Sequence, residues 1–148
     1  MFHKDRPKRE FRGAWLATVT GGYQGLTPSE MRSKIVEQLN VLQYAGINAI
    51  LFQVRPTADA FYPSTIEPWS RYLTGMQGKA PLPIWDPLQF IIDECHRRGM
   101  EMHAWINPYR VKQHLSDKLA PGHLYNKYPE RFVSYGDQLF FNPALSIN

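Results

Sequence analysis

Two apolar stretches of the chain finish on polar and aromatic side chains at alternate positions: Gln53 and Arg55 at the end of 48–54, and His103, Trp105 and Asn107 at the end of 100–106. Side chains alternate along a strand, so Gln53 shares a face with Leu51 and Ala49, and Arg55 joins them if the strand runs one residue further. His103, Trp105 and Asn107 share a face in the same way. Gathered at one end of two strands, the five would line a common pocket. Each also has a plainer role open to it: Gln53 and His103 as core polar residues with internal partners, Trp105 as packing. One such residue alone favours the plainer role; five on two strands favour a site.

The segment from Asp59 to Ser70 adds Tyr62, Glu67 and Trp69, a group suited to stacking on a sugar ring and hydrogen bonding to it. Trp69 serves equally well to pin that loop to the protein, and Glu67 fits bonding within its own loop better than acting as an acid. General acid-base chemistry here would need a pair of positioned carboxyl groups. Asp59 and Glu67 share one loop, Glu101 opens the third apolar stretch, and no two of them make a convincing pair. His96, His103, His114 and His123 lack the close pairing of metal ligands, so no metal is expected, and nothing calls for a cofactor. Cys95 and His96 are neighbours on a helical pattern, point apart, and put the thiol on a buried stripe where it is inert.

The elements that position these groups alternate strand and helix. Residues 12–18 are short and apolar, between charge on one side and Gly21 and Gly22 on the other, and read as a first strand. Thr27, Pro28 and Glu30 then supply a capping box with proline at the first helical position; Met31, Ile35, Leu39 and Leu42 follow at helical spacing, and Gly46 sits where a helix ends. Residues 48–54 are apolar without clean alternation, the mark of a strand covered on both faces in a parallel sheet. Asp86 and Pro87 open a second helix with Leu88, Ile91, Ile92 and Cys95 on one stripe, and 100–106 forms the third strand. Further on, 124–128 reads as a short helix, and a hairpin turning at Gly136 and Asp137 fits Phe132 to Phe141.

This order gives parallel strands and an α/β fold. The first turn lacks a Gly-x-Gly-x-x-Gly fingerprint, and the turns after the second and third strands are long and aromatic. Both features favour a (β/α)-barrel of TIM type, with its site at the C-terminal rim, over an open sheet. A full barrel takes about 250 residues and eight strands. With 148 residues and about three parallel strands, the expectation is an N-terminal barrel portion over 12–148, preceded by a basic tail at 1–11.

Composition fits one soluble globular domain, at 43% hydrophobic and 20% charged, and the 14% of aromatic residues offers contact surface for a sugar. The net charge of +4 comes mostly from Lys4, Arg6, Lys8, Arg9 and Arg12 set against Asp5 and Glu10, so a solvated tail is favoured over a nucleic-acid-binding surface. A single cysteine excludes an internal disulfide. No apolar run approaches the roughly 18 residues of a membrane span, and no signal-peptide core follows the basic N-terminus. The protein is therefore cytoplasmic, or its export signal lies upstream.

Four strings carry a resemblance: RGAWLAT, NAILFQVRPTADAFYPSTIEPWSRYLTG, HRRGMEMHAWINPYRV and LFFNPA. In this order and spacing they resemble the glycosyl-hydrolase-like 10 family of bacterial envelope proteins, from about Phe11 to the last residue. The resemblance implies a barrel hydrolase, exported or lipid-anchored, acting on polysaccharide, with some members linked to peptidoglycan glycan strands. It places Gln53, Arg55, Trp69, His103, Trp105, Asn107, Tyr109 and Arg110 at motif positions near the cleft. It also implies a helix and then a strand ending in adjacent aspartates, the expected catalytic acids, downstream of Asn148.

The leading expectation is thus the substrate-binding N-terminal part of a glycoside hydrolase, inactive alone. A barrel that holds glycan without cleaving it is the second. A different barrel enzyme of sugar metabolism is the third, although no phosphate-binding glycine loop is visible.

Overall fold

A computed structural model describes residues 10–145. Most of the basic tail lies outside them. Three parallel strands, β1 (Gly13–Leu16), β2 (Ala49–Arg55) and β3 (Glu101–Ile106), form one sheet in the order β1-β2-β3. The register sets Trp15 beside Leu51, Leu51 beside His103, and Gln53 beside Trp105. These side chains therefore share one face, and Ala14, Leu16, Ile50, Phe52 and Met102 share the other.

Helix α1 (Pro28–Tyr44) starts on the capping box read from the sequence: Thr27 Oγ1 accepts from the Glu30 backbone N–H, and the Glu30 carboxylate accepts from the Thr27 N–H at 2.8 Å. Gly46, just past its end, takes the left-handed φ of 81° that lets the chain turn back into β2. After the single turn α2 (Arg71–Thr74), helix α3 (Pro87–Arg97) is capped by Asp86, whose carboxylate accepts from the Gln89 N–H. Met31, Ile35 and Leu39 of α1 and Ile91 and Cys95 of α3 pack into one core with Ile50, Phe52 and Val54. Both helices thus cover the same face of the sheet, and the face carrying Trp15 and His103 stays open. Trp15 is 63% exposed.

β3 is less covered than its apolar run implies. Met102 packs on the core, but Ala104 and Ile106, further along the helix-covered face, are exposed. The element after β3 explains this: β4 (Arg110–Lys112) leaves for a second, antiparallel sheet in the order β4-β6-β5, with β5 (Phe132–Tyr135) and β6 (Gln138–Phe141) forming the expected hairpin. Gly136 at its turn has φ 57°. Ahead of the hairpin lie α4 (Leu124–Lys127) and a 3₁₀ turn at Pro129–Arg131. A smaller core of Ala58, Val111 and Leu139 joins this sheet to the loop after β2. Among the described residues no helix is long and apolar enough to cross a membrane.

Candidate functional site

Arg55 is the hub of the strand ends. The ladder between β2 and β3 shifts after Gln53: Gln53 pairs with Trp105 but Arg55 pairs with Ile106, so simple alternation stops at Gln53 and the bulge re-aims Arg55. Its Nη1 donates to the carbonyls of Asn107 at 2.8 Å and Pro108 at 3.3 Å, while Nε and Nη2 both reach Glu67 Oε1, at 2.8 and 2.6 Å. The paired side chains are 14% and 18% exposed, so this ion pair is shielded well enough to fix the loop after β2 against the end of β3. Glu67 bonds within its loop only through its backbone N–H, to Ser64 Oγ; its carboxylate leaves the loop for Arg55.

Gln53 is fully buried. Its Oε1 accepts from the backbone N–H of Thr18 at 2.9 Å and of Val19 at 3.2 Å, and its own carbonyl accepts from Thr18 Oγ1, so it fastens the end of β1 to β2. Its Nε2 is buried with no partner among the described residues. Beside it on the open face, Trp105 meets Trp15 edge to face at 4.9 Å. His103 sits nearer the start of β3, with Nε2 2.9 Å from Glu101 Oε2 and its ring against Phe11. Trp69 bridges to Ala60 and packs on the main core, the pinning role open to it from the sequence. Tyr109 is exposed, its carbonyl accepting from the Phe141 N–H, and Arg110 lies in β4 opposite Phe140 with Nε buried and unpartnered.

The sequence-nominated residues therefore fall into groups. Arg55 and Asn107 meet at the rim, and Gln53 and Trp105 are ladder neighbours just below it. His103 lies nearer the start of β3, Trp69 packs on the main core, and Tyr109 and Arg110 continue the chain from the rim into β4.

Asp59 has a role that alternation could not reveal. It is fully buried, and its carboxylate accepts from Thr57 N–H and Oγ1, the Arg71 N–H and Gln77 Nε2. Burial pushes it up to about 6 against these bonds, which favour the ionised form. Gln77 Oε1 in turn accepts from the Ala120 N–H, so Asp59 and Gln77 tie three loops together. Cys95 is buried, and burial pushes its thiol up to about 11, which leaves it unreactive at neutral pH.

Known proteins place this arrangement. The model of the family described as glycosyl hydrolase-like 10 matches residues 10–146. The chain belongs to the glycosyl hydrolase-like 10 family. It is 43% identical over 143 residues to "Glycosyl hydrolase YngK" of Bacillus subtilis, covering 93% of this chain and 28% of that protein. It is 36% identical over 155 aligned positions to "Glycosyl hydrolase DigH" of Escherichia coli, covering 90% of this chain and 35% of that protein. The chain thus spans about a third of the length of these curated relatives. In this member of the glycosyl hydrolase-like 10 family, the matched region contains the parallel sheet, the Arg55–Glu67 rim and the hairpin sheet alike.

Proposed function

We propose that this chain forms the N-terminal part of a TIM-type barrel glycoside hydrolase and supplies glycan-binding residues to its cleft. The observation that carries the proposal is the open sheet face, where Trp15 of β1 and Trp105 near the end of β3 stand edge to face, Trp105 being the ladder neighbour of Gln53 below the Arg55–Glu67 rim. Indole faces take the apolar side of a pyranose, and a fixed ion pair takes its hydroxyls. Family membership supports polysaccharide as the substrate. We assign peptidoglycan glycan strands as that polysaccharide, which puts the protein at the cell envelope.

Cleavage needs a proton donor and a second carboxylate. Among the described residues near the strand ends, Glu67 is clamped by Arg55 and Asp59 is buried in its loop, while Glu101 lies at the other end of β3. We therefore place the catalytic pair outside this chain. The same observation favours the second possibility, a scaffold that holds glycan without cleaving it.

The test is reducing-end release from purified glycan strands, with strand binding measured in parallel. Residues 1–148 alone are expected to bind but to show no release above buffer, because acid-base catalysis worth about 10²- to 10⁴-fold is missing. Trp105→Ala is expected to weaken binding about fivefold or more. Release by the chain alone that disappears in Glu67→Gln would place the acid here and overturn the proposal.

A further inference from the structure

We infer that the cleft beside Glu67, on the loop side of the rim, is a separate subsite for one uncharged sugar unit, held between Glu67 and His123. The inference rests on the glycan-binding function proposed above and adds a site that the strand alternation does not reach. The cleft has a volume of about 410 Å³, within the range of small-molecule sites. Ala58, Ile66, Leu124 and Phe141 supply apolar wall, and Glu67 and His123 supply polar groups.

Both polar groups have one atom engaged and one free. Arg55 occupies Glu67 Oε1 with two donors, and Oε2 accepts no hydrogen bond among the described residues. His123, 6% exposed, caps α4: its Nδ1 accepts from the Tyr125 N–H at 3.1 Å. With Nδ1 accepting, the neutral ring carries its proton on Nε2, which has no hydrogen-bond partner among the described residues. Burial first, then the charges of Arg55 and Lys112, hold His123 below the usual histidine range, so at neutral pH it is an uncharged donor.

The cleft therefore offers the second Glu67 oxygen as acceptor, the His123 N–H as donor, the Thr65 hydroxyl and apolar walls, with the Glu67 charge already met by Arg55. A ring with hydroxyl or amide groups on one edge and an apolar face matches this set. An acidic sugar would set its carboxylate against Glu67, and an amine would meet Arg55 and Lys112. Ala58, in the wall, holds a left-handed φ of 50°, a strained conformation for a non-glycine residue. Through Arg55 the cleft adjoins the carbonyls of Asn107 and Pro108, so a unit bound there continues the glycan path from the strand ends.

The test titrates the full chain with cellotetraose and N-acetylchitotetraose as neutral probes and with an oligogalacturonate as the anionic one, following amide resonances of Ala58 and Leu124. His123→Asn keeps an oxygen for the Tyr125 N–H and removes the Nε2 donor; Glu67→Gln removes the charged acceptor. Each is expected to weaken the tighter neutral probe about tenfold, the worth of one hydrogen bond to a well-placed partner, with the thermal midpoint of His123→Asn kept. Unchanged affinity in His123→Asn, or tighter binding of the oligogalacturonate, overturns the subsite. If Trp105→Ala and Glu67→Gln weaken binding while His123→Asn leaves it unchanged, the subsite fails and the glycan-binding function survives. If no probe binds at all, both fall together.

Discussion

A buried carboxylate with a full set of donors is a poor acid but a sensitive reporter, and Asp59 is such a group. Its folded-state value near 6 lies above the ordinary 3.8, so the folded protein binds its proton more tightly than the unfolded chain does. The sign follows: Asp59 costs nothing below about pH 4, and its contribution to stability is lost as pH rises through 6, up to on the order of 3 kcal/mol. Asp117 and Asp137 run the other way, because hydrogen bonds hold both below the usual range. The difference between wild type and Asp59→Asn isolates the single group. Urea titrations from pH 4 to 7 are expected to show the wild type losing stability relative to Asp59→Asn, with the two curves parallel above pH 7; parallel curves throughout would mean that Asp59 is ionised at pH 4. At this scale the sequence was only partly legible. Gln53 and Trp105 were singled out because alternation along a strand needs no tertiary knowledge, and they stand side by side in the ladder; Arg55 was singled out on the same ground, but the bulge takes it out of that alternation. Asp59, Gln77 and His123 were not, because their partners are brought in by loops whose course nothing local dictates; the one available signal was the place of His123 directly before a short helix.

The elements were easier to read because each carries its own start and stop. The Thr27–Glu30 box and Gly46 bracket α1 in the structure as they do in the sequence, and Asp86 with Pro87 opens α3. Such caps are local hydrogen bonds and survive any tertiary context, which predicts a measurable cost for removing one. Thr27→Ala deletes the acceptor of the Glu30 N–H and is expected to lower unfolding stability by about 1 kcal/mol with an unchanged denaturant slope. No loss would mean that packing of Met31, Ile35 and Leu39 alone fixes the first turn. What the pattern could not give was the departure after β3. Arg110–Lys112 is too short to show a period, and its pairing with β6 depends on residues far along the chain. The bulge after Gln53 is equally invisible, yet it aims Arg55 at Glu67 and so builds the rim.

The whole molecule is defined by an asymmetry: α1 and α3 cover one face of the parallel sheet, except at Ala104 and Ile106 near the end of β3, and the other face is open. The open face presents Trp15 at 63% exposure beside Trp105, and among the described residues both edge strands, β1 and β3, have no strand on their outer sides. Apolar surface and free strand edges of this kind are what other chains bind. In a closed barrel the same face would be the lined interior and the same edges would find further strands. The chain alone should therefore associate with itself, and more strongly as concentration rises. Sedimentation velocity from about 5 to 200 µM, with purified residues 1–148, is expected to show a growing oligomer fraction that shrinks in Trp15→Ser, since removing the indole takes away the largest exposed apolar group on that face. The substitution leaves the sealed core untouched, so a normal circular dichroism spectrum separates lost stickiness from lost folding. A monomer across the whole range would show that the open face is satisfied by water, and the barrel interior would then be the wrong description of it.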